Sequence, residues 1–110
     1  MEEIEFLENE TGSNPVGCVI WMHGLGADAT DFEPIVPLLP LEVDLRFVFP
    51  NAPVRPITVN GGMEMRGWYD IDPGSPLASN EDIRSSVEAI TGLVEHEVAN
   101  GFRYDQITVA

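Results

Sequence analysis

The sequence predicts an α/β fold, a mostly parallel β-sheet with flanking helices. Three observations point there. Strand, turn, helix, strand, long loop, helix and strand follow one another, the alternation that gives parallel pairing through right-handed crossovers. One of the strands, at residues 16–22, is apolar on both of its alternating faces, as a strand inside a helix-covered sheet is. The 110 residues are 44% hydrophobic and 22% charged, an ordinary globular composition for a single domain that buries roughly 65% of its unfolded surface.

The elements follow in order. Residues 1–10, MEEIEFLENE, alternate acid with apolar and read as an edge strand, with Ile4 and Phe6 on one face and glutamates on the other. TGSNP supplies a turn. From Val16 to Met22 the residues Val16, Cys18, Ile20 and Met22 form one side of a strand, and Val19 and Trp21 the other. After the glycine turn at residues 24–26, Thr30 or Asp31 is placed to cap a short helix over DFEPIVPLL, which Pro37 shortens and Pro40 ends. LRFVF is the next strand, closed by Pro50. Residues 50–78 form a long excursion rich in Pro and Gly, with ITV and RGWYDI as candidate short strands; so long an excursion in so small a domain usually has a function. Ser79-Asn80-Glu81-Asp82 then resembles a capping box, Ile83, Val87, Ile90, Val94 and Glu97/Val98 keep a helical spacing, and Asn100-Gly101 is a helix stop. QITVA begins the last strand.

Charge narrows the partners. Nineteen acids stand against five bases, all Arg, for a formal net charge of -14. Such a field repels phosphate backbones and anionic headgroups, which argues against nucleic acid and membrane surfaces as partners. The one Cys cannot form an internal disulfide, and the absence of an apolar leader or membrane-length run gives a cytoplasmic expectation without integral membrane contact.

VIWMHGLGADATDF, residues 19–32, runs the buried strand into glycines that fit two chemistries. Gly24, Gly26 and Ala29 match the G-x-G-x-x-G/A spacing of a dinucleotide-binding turn. That site needs a good helix starting at the turn and an acid about 20 residues on for the ribose. Here the helix is short and interrupted by proline, and the next strand ends in Phe49-Pro50-Asn51. An oxyanion loop asks for less. It must bring a fixed main-chain N–H up to the charge that develops on a tetrahedral intermediate, and small residues around one donor suit it. Gly24 and Gly26 flank Leu25, so the Leu25 N–H is the expected donor, supported by His23, Gly24 and Gly26.

The segments VIWMHGLGADATDFEPIVPLLP, LRFVFPNAPVRPITVNGGMEMRGWYDI and LVEHEVANGFRYDQITVA resemble successive blocks of the phospholipase/carboxylesterase family, the carboxylesterases and acyl-protein thioesterases of the α/β-hydrolase fold. The resemblance covers residues 16–110. It implies a serine hydrolase acting on small-molecule or lipid acyl esters or thioesters, with no metal or cofactor. It also implies that the loop at residues 57–70 lines the acyl groove, which makes Met63, Met65 and Trp68 groove-wall candidates; ordinary packing explains the same residues equally well.

The family pattern continues past a strand like QITVA into a G-F-S-x-G elbow, followed by an Asp and a His, and these lie outside residues 1–110. None of Ser13, Ser75, Ser79, Ser85 and Ser86 sits in G-x-S-x-G. His23 is expected to organise the oxyanion loop rather than act as base, His96 to be solvated late in the helix, Cys18 to be a buried small hydrophobe, and Asp70 and Asp72 to be loop or surface groups. The expectation is therefore a partial domain, the N-terminal half of an α/β-hydrolase truncated before the nucleophile elbow, inactive alone and prone to form a homodimer or larger oligomer. Two functions stay open. One is the oxyanion half of a carboxylesterase or acyl thioesterase; the other is a non-catalytic module that binds an acyl chain or a partner.

Overall fold

The computed structural model describes residues 4–75 and 80–110. Along the chain lie β1 (Phe6–Glu10), β2 (Cys18–Ile20), a 3-10 helix (Glu33–Leu38), β3 (Arg46–Pro50), β4 (Val54–Ile57), a 3-10 turn (Thr58–Asn60), β5 (Met63–Arg66), α1 (Asn80–Ala99), a second 3-10 turn (Tyr104–Gln106) and β6 (Ile107–Val109). Four strands form one sheet in the order β1-β3-β2-β6, and β4 and β5 form a separate hairpin. β2 runs parallel to both β3 and β6, while β1 joins the edge antiparallel to β3. The sheet is mostly parallel, as expected.

Both faces of β2 are covered. Cys18 and Ile20 turn with Val48 toward α1, where Leu93 meets them and Ile90 and Val94 close the margin. Val19 and Trp21 turn the other way with Phe47 and Phe49, against Ala29, Val36 and Phe32. On that side the Trp21 ring stacks on Phe32 at 4.8 Å, a contact worth about 0.5–1.5 kcal/mol beyond its area. The stop at the end of α1 is a Schellman motif. Phe102 N–H donates to Glu97 O and Gly101 N–H to Val98 O, with Gly101 at φ 109, a conformation that glycine adopts without strain.

Five expectations need correction. The glutamates of β1 do not all lie on the face opposite Phe6: Glu8 and Glu10, though exposed, share its face and reach Arg46 at 2.9 and 3.2 Å, because a positive charge on that face of β3 attracts them. The segment after the glycine turn is a 3-10 helix, not an α-helix, and neither Thr30 nor Asp31 caps it. Pro37 has no N–H for the bond an α-helix would require, so only short i+3 bonds form, from Ile35 N–H to Phe32 O and from Leu39 N–H to Val36 O. Consequently the flanking layer on that face is a 3-10 turn, and α1 is the one α-helix among the described residues.

The ITV and RGWYDI strands are displaced. Strand structure falls on Val54–Ile57 and Met63–Arg66, since Gly61 and Gly62, at φ 69 and 81, turn the chain back between them. The apolar stripe of α1 is covered only in part: Ile90 and Val94 pack on the core as expected, but its N-terminal members do not. Leu93 and Glu97 are its buried residues, while Ile83 and Val87 are 42% and 58% exposed. A helix of 20 residues is about 30 Å long and strands of three to five residues reach at most roughly 17 Å, so only the C-terminal half of α1 lies on the sheet. The capping role read for Ser79 falls outside the described residues.

Candidate functional site

β2, β3 and β6 are parallel, and their carboxyl ends share one edge of the sheet, the edge where α/β folds place their sites. The ladder around β2 extends a little past the strand: Met22 N–H donates to Ala110 O. The chain then turns at Gly24–Ala27, closed by Ala27 N–H on Gly24 O at 3.1 Å. Gly26 has φ 77, and no described non-glycine residue has a positive φ. That is the type II pattern, with glycine at the third position.

Several main-chain donors of this loop are taken. Gly26 N–H bonds Arg66 O at 2.8 Å, Ala29 N–H bonds Asn51 Oδ1 at 2.7 Å, and Thr30 N–H bonds Asp28 Oδ1 at 2.8 Å. Thr30 holds the Asp28 carboxyl below its ordinary range by hydrogen bonding through side chain and backbone. The N–H groups of His23, Gly24, Leu25 and Asp28 have no acceptor among the described residues, and of these Leu25 is the one between the two glycines.

His23 determines where that N–H points. Its ring is buried, Nε2 accepts from Ala52 N–H at 3.0 Å and Nδ1 lies 2.7 Å from Gly24 O. Since Nε2 accepts, the proton belongs on Nδ1, which donates to Gly24 O. In a trans peptide the C=O of one residue and the N–H of the next point in opposite directions. Holding Gly24 O inward therefore holds the Leu25 N–H outward.

The hairpin supports the loop from one side. Arg66 donates to Ala52 O at 2.7 Å, and Arg55 bonds Gly67 O and pairs with Asp82 of α1 at 2.6 Å. The Trp68 indole N–H donates to His23 O at 2.9 Å, and its ring lies 5.3 Å from the His23 ring. A Cβ at Gly67 would come within 3.2 Å of the Leu25 side chain and 3.0 Å of Ile57, so glycine there lets Leu25 lie down on the hairpin. Of the groove candidates, Trp68 and Met65 adjoin the loop, with the Met65 sulfur 3.5 Å from where a Gly26 Cβ would stand. Met63, 65% exposed, stands farther along β5.

The other titratable candidates lie apart from this loop. Asp70 takes both the side chain and the N–H of Thr58 at 2.7 Å, and those bonds lower its carboxyl below the ordinary range. Asp72 holds Gly74 N–H. Ser85 and Ser86 are in α1.

At the opposite end of the sheet is a cluster that the sequence analysis missed. Arg46 bonds Glu97 of α1 at 2.6 Å, Glu8 at 2.9 Å and Glu10 at 3.2 Å, and Glu97 is fully buried. His96 approaches Glu97 at 3.0 Å. Burial first, and then the Glu97 charge, push the Cys18 thiol up to about 12, so the cysteine is protonated and unreactive. Burial also raises the Glu97 carboxyl, but the hydrogen bonds from Arg46 and His96 outweigh it and the net displacement is downward. The signal was an acid within an apolar helix stripe facing a base within an apolar strand.

The parallel sheet, the crossover helix and the glycine turn at the carboxyl end of a central strand define an α/β-hydrolase scaffold. The profile of the family described as Phospholipase/Carboxylesterase matches residues 6–110, and the chain belongs to that family. A rice protein, Oryza sativa subsp. japonica, named "Probable inactive carboxylesterase" is 34% identical over 91 residues, covering 76% of this chain and 37% of that protein. Acyl-protein thioesterase 1 of Mycosarcoma maydis is 33% identical over 93 residues, covering 79% and 39%. The crystal structure of Arabidopsis thaliana SOBER1 superposes with a TM-score of 0.72 at 26% identity, covering 84% of this chain and 47% of that one. The chain thus spans about two fifths of the length of the curated relatives it matches. Among the described residues no helix is long and apolar enough to cross a membrane, and no group of three or more His, Cys, Asp or Glu side chains could hold a metal ion.

Proposed function

We propose that residues 1–110 form a partial domain, the oxyanion-loop side of a serine hydrolase that cleaves carboxylic ester or thioester bonds of acyl substrates. The observation that carries this reading is the Leu25 N–H, which has no acceptor among the described residues and is turned outward because the His23 ring and Ala27 N–H hold the Gly24 carbonyl of the same peptide. A nucleophile adding to an acyl carbonyl turns its oxygen into an anion, and a preset N–H stabilises that charge without having to reorganise. A second donor in such enzymes comes from the residue after the nucleophile, which these 110 residues do not supply. Met65 and Trp68 beside the loop fit the wall of an acyl groove, with Met63 at its outer end. The reaction so assigned uses no metal or cofactor, takes a small-molecule or lipid acyl substrate, and belongs in the cytoplasm.

A second reading has its own support. No serine among the described residues lies at a strand-to-helix turn, and one relative is named "Probable inactive carboxylesterase"; both favour a module that binds an acyl chain or a partner without cleaving it. Without an activated serine no acyl-enzyme forms, so the two readings separate on the coding sequence after Ala110. The hydrolase reading expects a continuation carrying G-F-S-x-G. The extended protein should hydrolyse p-nitrophenyl or thioester substrates and lose that activity to a serine-directed reagent, while residues 1–110 alone stay at background and self-associate in light scattering. A stop codon after Ala110, or an extended protein with no serine-reagent-sensitive turnover, would favour the binding module.

A further inference from the structure

We infer that Trp68 is a positioning residue for the oxyanion loop, acting through its indole N–H on the His23 carbonyl and anchored to α1 by Ser86. The inference rests on the proposed function in one respect, that the Leu25 N–H is the donor whose direction matters.

Apart from the Leu25 side chain on the hairpin, packing does little to fix the loop backbone. Gly24, Leu25 and Gly26 are exposed, and a Cβ at Gly24 would meet nothing within 4 Å. Two glycines with no core contact leave the backbone free to rotate, so its conformation must come from hydrogen bonds. The sheet supplies none beyond residue 22. The His23 carbonyl is the first acceptor past the Met22 bond to Ala110, and it is taken by the Trp68 indole N–H at 2.9 Å. That bond orients the peptide between His23 and Gly24. The next peptide is oriented by the His23 ring and Ala27 N–H on Gly24 O. With these two consecutive peptide planes held, the direction of the Leu25 N–H follows from planarity.

Trp68 is itself anchored from the other side. Its main-chain carbonyl accepts the Ser86 hydroxyl of α1, and the adjoining Gly67 is held by Arg55, which pairs with Asp82 of the same helix. The path therefore runs from α1 through Ser86, Trp68 and His23 to Gly24 and the Leu25 N–H. This gives the N-terminal half of α1, which overhangs the sheet, a role that its exposed Ile83 and Val87 do not explain.

The test separates hydrogen bonding from packing by NMR-detected amide exchange in the protein that contains residues 1–110. Trp68→Phe keeps a ring beside His23 and removes only the indole donor. The Gly26 amide, bonded to Arg66 O in the native loop, should exchange roughly fivefold faster, the factor that one net hydrogen bond supplies. The Leu25 amide resonance should move, while the amides of Ile20 and Val48 and the melting temperature stay unchanged. Ser86→Ala should move the same two loop signals in the same direction by less. Unchanged Gly26 exchange in Trp68→Phe would overturn the inference, and so would faster exchange spread across β2 and β3, which would return Trp68 to a packing role. None of these signals depends on turnover. The loop response in a protein that hydrolyses nothing would support the positioning role even as the hydrolase reading failed.

Discussion

The two ends of the sheet are stabilised by opposite kinds of polar chemistry. At the amino ends of β2 and β3, Arg46 is surrounded by Glu97, Glu8 and Glu10, and the buried charges are matched at every position. At the carboxyl ends, the loop from His23 to Thr30 is joined to the hairpin and the end of β3 mainly by main-chain groups, neutral side chains and Arg66. There some main-chain donors, Leu25 N–H among them, have no acceptor among the described residues. The difference shows where each end tolerates change. Removing one partner from the ion cluster strands a buried charge, whereas removing one bond from the loop costs about one hydrogen bond and alters mainly geometry.

The largest expected effect follows from that asymmetry. Arg46→Met should destabilise the protein by about 3–5 kcal/mol, because Glu97 is left buried without its guanidinium partner. Adding Glu97→Leu should recover most of the loss. Urea unfolding of the two variants checks this, and a double variant as unstable as the single one would show that the cluster stabilises through something other than charge matching. The same pair determines the acid response. The Glu97 carboxyl lies below its ordinary value of 4.5 in the folded protein, so its contribution is fully present above that value and is lost as pH falls through the depressed one. The wild type should lose stability there more steeply than the double variant.

At the loop end the effects should be smaller. His23→Asn leaves the buried Ala52 N–H without its Nε2 acceptor and should cost about 1–3 kcal/mol, read as a fall in melting temperature, while β2 and β3 keep their amide protection. In the completed hydrolase it should leave some turnover and an unchanged pH-rate profile, since the base lies elsewhere. Loss of the acidic limb of that profile, where a general base is inactivated by protonation, would make His23 the base. The smallest effect is expected at Gly67→Ala. The new methyl presses on Ile57 and Leu25 and should cost about 1 kcal/mol, with the Leu25 resonances shifting. A neutral melting point together with an unmoved Leu25 would show that the hairpin does not set the position of the loop.

Sequence alone carried a good part of this comparison at the loop end and little of it at the other. The two apolar faces of Val16–Met22 announced a strand covered on both sides, and Asn100-Gly101 announced the end of α1, because burial and glycine conformation are local properties. Gly24 and Gly26 pointed to Leu25, and the structure adds the reason for preferring its N–H, since that of Gly26 is used by Arg66. The bond between Trp68 and His23 joins residues 45 positions apart, and the cluster joins Arg46 to a glutamate 51 positions on; neither distance leaves a local pattern. Asn60-Gly61-Gly62 did carry a hairpin signal, and the strands belonged on either side of it. The exposure of Ile83 and Val87 in α1 was not legible, because it depends on how much of the helix the short strands can cover.

The central claim is that the Leu25 N–H is the oxyanion donor, and Leu25→Pro tests it most directly. Leu25 occupies the second position of a type II turn, where proline is favoured, so the substitution removes the N–H while keeping the turn. In the hydrolase containing residues 1–110, with circular dichroism and thermal melting unchanged, the turnover number should fall by roughly 10² to 10³. A folded Leu25→Pro enzyme with wild-type turnover would contradict the account.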